Sequence, residues 1–334
     1  MIFHPSILAL LGSSWLATAV LLASAVFAMR LLASWDRASG SERQIRLERA
    51  TILVSTAVGL VLALEAASLI LFVFNADRMS ALFVGAMCAV GTLNASVYGF
   101  ATLYAKIAVF FASALWLVLD RVDGEGRDFP LIRLKYAALL AVAPIVALEA
   151  GLETAYFLDL KADTITSCCG KLFEDGPQSS GAGGELAALE PRPALWLLFG
   201  GAAVVVLGGL VAGRSRVFQI AQGVFGGAMF VVGLAAIVSV VSLYVYEQPH
   251  HHCPFCLLKR EYDHFGFALY LPLFLGAAAA LASGMLGVVP RRASLAVAQP
   301  AIAARLARLS ALGFALFALA CLWVIWRSNL LLFG

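Results

Sequence analysis

The chain is a succession of long apolar segments separated by short polar ones. Eight segments reach about 20 residues, enough to cross a hydrocarbon layer about 30 Å thick. Lipid offers no water to satisfy backbone amides, so such segments form helices rather than strands. We place the helices near residues 6–29, 50–74, 101–119, 135–158, 194–213, 217–246, 266–289 and 309–330. The pattern predicts an all-α, polytopic membrane helix bundle with about eight transmembrane helices, forming a single transmembrane domain over residues 1–334.

Composition supports a membrane protein and argues against a nucleic-acid partner. Only 13% of the residues are charged and 62% are hydrophobic, whereas soluble domains carry about a quarter charged residues. The net charge of +3 is small, and no basic run accompanies it. The lipid bilayer is therefore the expected partner. A shorter apolar stretch, 79–91, is predicted to be a half-helix at the membrane surface.

The distribution of Lys and Arg predicts the orientation. Most of the basic residues fall into the loops that face the cytoplasm if the N-terminus lies outside, as the positive-inside rule requires. We therefore expect a protein of the cytoplasmic (inner) membrane whose N- and C-termini are both extracytoplasmic. Two loops, 159–193 and the Cys/His-rich 247–264, then lie on the extracytoplasmic side.

Two short sequence echoes suggest repeated helical hairpins. ALEA occurs at 63–66 and again at 147–150, each time within an apolar helix. YGFA at 98–101 is echoed by FGFA at 265–268, each at a helix start. Because the echoes agree with the predicted topology, we expect the bundle to contain repeated hairpins.

The motif HHHCPFCLLK at 250–259 carries the most chemistry. Cys253 and Cys256 can close a small disulfide ring or share a metal, and a helix start would lower their thiol pKa. Neutral histidines are metal ligands. Three interpretations stay open: a redox pair, a structural disulfide, and a metal site. The ligands of that metal site would be His250, His251, His252, Cys253 and Cys256.

The remaining cysteines are of two kinds. A disulfide between the neighbours Cys168 and Cys169 would be strained, so each pairs elsewhere or both bind a soft metal. Cys88 follows an apolar helix and precedes the YGFA echo. With Cys253 and Cys256, these are the candidate catalytic residues, and we expect Cys253 and Cys256 to lie close to Cys88 or to the Cys168–Cys169 pair. Cys321, within the last helix, is expected to be core.

The segments CAVGTLNASVYGFATLY at 88–104 and CPFCLL at 253–258 resemble the vitamin K epoxide reductase family of membrane thiol–quinone oxidoreductases. The resemblance implies a relay in which Cys253 and Cys256 are the pair next to the quinone and Cys88 is a loop shuttle. The family's core is a four-helix bundle whose first loop carries two cysteines. Here Cys168 or Cys169 would have to supply the second.

Four ionisable residues lie inside predicted helices: Glu65, Lys106, Glu149 and Glu153. Charges at such depth are costly and normally face a partner or a water-filled cavity. We expect Lys106 to pair with one of the three glutamates. The group is either a structural ion pair, a proton relay for quinone chemistry, or a carboxylate lining for a metal path.

Three functions follow from these patterns. The first is thiol–disulfide exchange, coupled to a quinone or to a periplasmic thioredoxin-like partner. The second is copper or zinc handling as a chaperone or transporter, with a metallochaperone as partner. The third is an accessory subunit of a membrane complex, in which disulfides stabilise the subunit.

The orientation predicts which thiols an impermeant reagent reaches. After reduction of intact cells or spheroplasts, an impermeant maleimide should modify Cys168 or Cys253, because both follow helices that end outside. Mass spectrometry of the labelled peptides measures this. Labelling that requires opening of the cytoplasmic face would contradict the orientation.

Overall fold

In a computed structural model, the chain folds into apolar helices. The structure describes residues 4–36, 41–126, 128–161, 166, 190–330 and 332. Within these ranges eight helices are long and apolar enough to cross a membrane, and no residue is in a strand. The predicted all-α membrane helix bundle is confirmed.

The described ranges contain ten α-helices. A π-helical turn, Ile237–Val241, joins α7 to α8, so these two helices belong to a single span, Arg216–Tyr246. The helices are α1 Pro5–Ser34, α2 Glu42–Met79, α3 Ala89–Asn94, α4 Gly99–Asp123, α5 Ile132–Asp159, α6 Pro191–Val211, α7 Arg216–Ala236, α8 Ser242–Tyr246, α9 Gly266–Val288 and α10 Ala298–Arg327.

The helices group into two compact units. Unit 1 comprises Met1–Val84, Thr92–Thr164 and Arg291–Ala298, and contains α1, α2, α4 and α5. Unit 2 comprises Gly85–Gly91, Ile165–Pro290 and Gln299–Gly334, and contains α6 to α9 and nearly all of α10. The expectation of a single transmembrane domain and that of repeated hairpins both stay predictions.

Two details of the predicted helices are corrected. Helix α2 begins at Glu42 rather than near residue 50, because the Ser41 hydroxyl accepts a hydrogen bond from the Gln44 amide and caps a polar first turn. The stretch 79–91 is not a half-helix. It holds a 3₁₀ turn at Ser80–Leu82 and an interruption at Gly85, whose φ is +86°. A side chain there would collide with the Thr166 carbonyl oxygen, so the contact and the positive φ both require glycine at this position.

Unit 1 is built around aromatic side chains whose polar atoms are satisfied inside the bundle. The Trp116 indole on α4 donates to the Lys135 carbonyl oxygen at 3.1 Å. The Tyr136 hydroxyl on α5 donates to the Thr51 carbonyl oxygen on α2 at 3.2 Å. Both rings are fully buried. These bonds link α5 to α4 and to α2.

A buried ion group holds the turn between α4 and α5. The Lys135 ammonium lies 2.9 Å from Asp123 and 3.1 Å from Asp120. Asp123 also accepts the Leu131 amide at 2.7 Å. Lys135 is 3% exposed and Asp123 0%. Lys135 is thus a buried partner of two carboxylates.

The helices of unit 2 contact one another closely at glycine residues. A Cβ on Gly223 of α7 would lie 2.8 Å from the Gly284 Cα of α9, and one on Gly313 of α10 would lie 2.7 Å from the Gly276 Cα of α9. The backbones therefore approach more closely than any side chain permits, as in other membrane helix pairs. Helix α9 is thereby held between α7 and α10.

Replacing Lys135 by Met should destabilise unit 1 by about 3–5 kcal/mol, because Asp123 would stay buried without its cation. Arg121→Met is the matched control. It removes an ion pair to Glu125 on the same turn, in which the side chains are 74% and 36% exposed, and should cost at most about 0.5 kcal/mol. Thermal unfolding of the purified protein in detergent measures both. Equal losses of stability would contradict the buried role of Lys135.

Candidate functional site

Three cysteines converge in unit 2. The sulfurs of Cys88, Cys253 and Cys256 all lie within 4.8 Å of one another, and those of Cys88 and Cys253 are 3.3 Å apart. All three side chains are buried, with exposed fractions of 0%, 4% and 8%. The expected proximity of Cys253 and Cys256 to Cys88 is confirmed. At these separations a small movement brings two sulfurs to the bonding distance of about 2 Å.

Two tyrosines hold the loop that carries Cys253. The Tyr246 hydroxyl, at the end of α8, donates to the Cys253 carbonyl oxygen at 2.5 Å. The Tyr270 hydroxyl, in the first turns of α9, donates to the Pro254 carbonyl oxygen at 2.7 Å. One helix ends before the loop and the other begins after it. The loop backbone is thus fixed from both of its flanking helices.

The segment that carries Cys88 is tied to the same unit. The Lys259 ammonium donates to the Met87 carbonyl oxygen, and the Thr166 hydroxyl donates to the Gly91 carbonyl oxygen at 2.7 Å. These two bonds lie on either side of Cys88 and fix its backbone. Lys259 lies three residues after Cys256, so the loop that carries the CPFC motif also holds the segment of Cys88.

The pKa values of Cys253 and Cys256 shift in opposite directions. Hydrogen bonds from Cys256 and then Cys88 lower the pKa of Cys253 to about 4. The same hydrogen bond, donated by Cys256, raises the pKa of Cys256. Cys253 is therefore the thiolate at neutral pH and Cys256 keeps its proton.

The predicted cause of thiol activation is corrected. Only a 3₁₀ turn, Cys256–Leu258, begins at the motif, and the next long helix starts at Gly266. A helix dipole acts within its first turn, so α9 begins too far along the chain to supply the effect. Backbone amides of Phe255 and Cys256 add to the thiol hydrogen bonds.

The three histidines do not join the sulfurs. His252 donates from Nδ1 to the Val238 carbonyl oxygen in the π-helical turn, at 3.0 Å. The His251 ring stacks on Tyr246 with centroids 4.0 Å apart, and burial lowers its pKa. His250 is exposed. Within the described ranges, the one group able to hold a metal consists of the three cysteines alone. The proposed ligand role of the histidines beside Cys253 and Cys256 gains no support.

The other cysteines lie apart from this group. Cys168 and Cys169 fall outside the described residues. Cys321 lies in α10 with 0% exposure, and burial in the apolar core suits a small side chain of this kind. Its expected role in core packing agrees with this position.

The predicted ion pair is confirmed in unit 1. The Lys106 ammonium lies 2.7 Å from Glu149 and 3.2 Å from Glu153, which share one face of α5. Glu65 is reached through Ser68, whose hydroxyl oxygen is 3.1 Å from the Lys106 ammonium and 3.2 Å from the Glu65 carboxylate. The three carboxylates thus collect around one cation.

Sequence reasoning missed the residues that support both sites. Tyr246 and Tyr270 flank the CPFC loop at helix ends, and that placement was the signal that could have found them. Ser14 of α1 donates to Glu149 at 2.9 Å, and Ser68 bridges Glu65. Single serines in apolar helices are too common for their sequence to mark such contacts.

No protein-family profile, curated protein or solved structure matches this chain.

Replacing Cys88 by Ala should raise the pKa of Cys253 above about 4, because the thiolate loses one hydrogen-bond donor. The thiolate absorbance of the reduced protein, followed against pH, measures this shift. Cys321→Ala is the matched control and should leave the titration unchanged. An unaltered titration in Cys88→Ala would contradict the hydrogen bond between Cys88 and Cys253.

Proposed function

We propose that this integral membrane protein catalyses thiol–disulfide exchange, with Cys253 as the central sulfur. The observation that carries the proposal is the convergence of three buried thiols from two distant segments, within 4.8 Å of one another. A structural disulfide needs two cysteines. A third sulfur at 3.3 Å from Cys253 gives that sulfur two alternative partners, which is what a relay requires.

The first exchange starts from the oxidised pair, a disulfide between Cys253 and Cys256. The deprotonated sulfur of Cys88 attacks the Cys253 sulfur. A Cys88–Cys253 bond forms, the Cys253–Cys256 bond breaks, and Cys256 leaves with the electron pair and takes up the proton that Cys88 lost.

The second exchange releases Cys253. A thiolate from Cys168 or Cys169 attacks Cys88, a new disulfide forms there, and Cys253 leaves as a thiolate. A low thiol pKa makes the better leaving group, so the pKa of about 4 at Cys253 favours this direction. The balance is two thiols oxidised to a disulfide and one disulfide reduced to two thiols.

The electron acceptor and donor belong to the proposal. A membrane quinone takes two electrons and two protons from Cys253 and Cys256 and restores their disulfide. A periplasmic thioredoxin-like protein gives its electrons to the disulfide of Cys88. The resemblance to the vitamin K epoxide reductase family supports the quinone. Unit 2, which holds the three cysteines, contains four membrane-spanning helices, the number in that family's core.

The location follows from the same chemistry. We place the protein in the cytoplasmic membrane with the cysteine group on the extracytoplasmic side. The Lys and Arg distribution supports this orientation, and disulfides persist outside the reducing cytoplasm.

Copper or zinc handling is the second candidate. The group of three sulfurs favours it, because thiolates bind soft metals and each sulfur could reach one ion at about 2.3 Å. Such a site would use Cys88, Cys253 and Cys256 and leave a fourth position open. The histidines would not be among its ligands.

Replacing Cys256 by Ser separates the two functions. The first exchange then lacks its leaving sulfur, so mild oxidation should join Cys88 to Cys253, and this disulfide should accumulate several-fold over the wild type. Peptide mass spectrometry without reduction measures it. Cys321→Ser is the matched control and should not change the linkage.

A metal site gives a different result for Cys256→Ser. The purified variant would lose bound zinc or copper relative to the wild type, and no disulfide through Cys253 would form. That outcome would exclude the relay and favour metal handling.

A further inference from the structure

Unit 1 contains a charge group that a structural ion pair does not explain. One cation, Lys106, faces three carboxylates, and all four side chains are at most 1% exposed. With every carboxylate ionised the group would carry two uncompensated negative charges. Two such charges buried between membrane-spanning helices are too costly to retain. The group is therefore expected to take up at least one positive partner, and a single proton would leave one negative charge next to the Lys106 ammonium.

The charged and polar neighbours of the group come from all four helices of unit 1. Helix α1 contributes the Ser14 hydroxyl, α2 contributes Glu65 and Ser68, α4 contributes Lys106, and α5 contributes Glu149 and Glu153. The Phe72 ring of α2 lies 5.6 Å from the Lys106 ammonium. Lys106 is the cation whose field acts on each of the three glutamates.

The hydrogen bonds around Ser68 locate the missing proton. Its hydroxyl oxygen lies 2.8 Å from the Glu65 carbonyl oxygen, 3.2 Å from Glu65 Oε2 and 3.1 Å from the Lys106 ammonium. The ammonium donates to Ser68, and the single hydroxyl proton of Ser68 goes to the nearer backbone carbonyl. The remaining contact, to Oε2, shares the Ser68 proton when Glu65 is ionised, and it becomes a full hydrogen bond when Glu65 carries a proton and donates it.

The other two glutamates differ from Glu65 in their direct contact with the cation. Glu149 and Glu153 contact the Lys106 ammonium directly at 2.7 and 3.2 Å, and Glu149 also accepts from Ser14 at 2.9 Å. No ion pair within the described ranges joins Glu65 to a cation. Its Oε1 has no hydrogen-bond partner there, although the side chain is 1% exposed.

We propose that Glu65, Lys106, Glu149 and Glu153 form a proton-binding site within the membrane-spanning part of unit 1, with the exchangeable proton on Glu65. A proton fits better than a metal cation, because the Lys106 ammonium already occupies the centre of the carboxylates. The site gives the protein a second ligand, H⁺, and the inference does not depend on the cysteine chemistry. A buried carboxyl that exchanges its proton is the group that proton-transporting membrane proteins use.

Infrared spectroscopy of the full-length protein in lipid nanodiscs tests the proposal at neutral pH. The C=O stretching band of a protonated carboxylic acid should be present in the wild type and should shift when D₂O replaces H₂O. In Glu65→Gln the band should be lost. Glu42→Gln, an exposed position on the same helix, is the matched control and should retain it.

A second variant covers the case in which Glu65→Gln does not fold. Ser68→Ala keeps the carboxyl but removes its acceptor, so the band should remain and move to higher frequency. Absence of the band in the wild type, or a band that D₂O does not shift, would overturn the proposal. So would a band that survives in Glu65→Gln and disappears in Glu153→Gln. A wild-type band that vanishes on addition of sodium, potassium or calcium chloride would identify a metal-cation site instead.

Discussion

The cost of burying an unsatisfied polar group between membrane-spanning helices governs the described structure. Lipid supplies no hydrogen bonds, so each polar atom needs a partner within the protein. In unit 1 the buried charged side chains satisfy one another as ion pairs. Helices α4 and α5 are linked by Lys106 toward one end and by Lys135 toward the other, each with carboxylates within about 3 Å. Removing either cation would leave buried negative charge, so these pairs fix which helices are neighbours and in which register.

Between the helices of unit 2 neutral groups meet the same demand, as where the Gln222 amide donates to the Val205 carbonyl oxygen and to Ser310. Its helices approach through glycines, and a further set of polar contacts lies at the loop between α8 and α9. There the carbonyl oxygens of Cys253 and Pro254 accept from Tyr246 and Tyr270. A non-helical loop with buried carbonyls would be unfavourable without these donors. The hydroxyls therefore satisfy the backbone and, by doing so, set the position of the sulfurs.

The number of helices could be predicted from the sequence, because spanning lipid requires only length and apolar composition. The pairing of Lys106 could be predicted because an unpaired ammonium at that depth is too costly. The grouping of helices into two units could not, since it depends on contacts such as Gly223 with Gly284 that no apolar pattern records. The activation of Cys253 was assigned to a helix dipole, and the true donors are thiols, one of them 165 positions away in the sequence.

The repeated tetrapeptide ALEA predicts repeated hairpins from the sequence. In the structure its two glutamates have a more specific role. Its glutamates, Glu65 and Glu149, belong to different helices and both enter the Lys106 group. The two copies differ in what they contact. Glu149 touches the ammonium and Ser14, whereas Glu65 meets the ammonium only through Ser68. Lys106 directly compensates Glu149 and leaves Glu65 in need of a proton. Two identical short motifs thus acquire different charge states, because the side chains that neighbouring helices present to each are different.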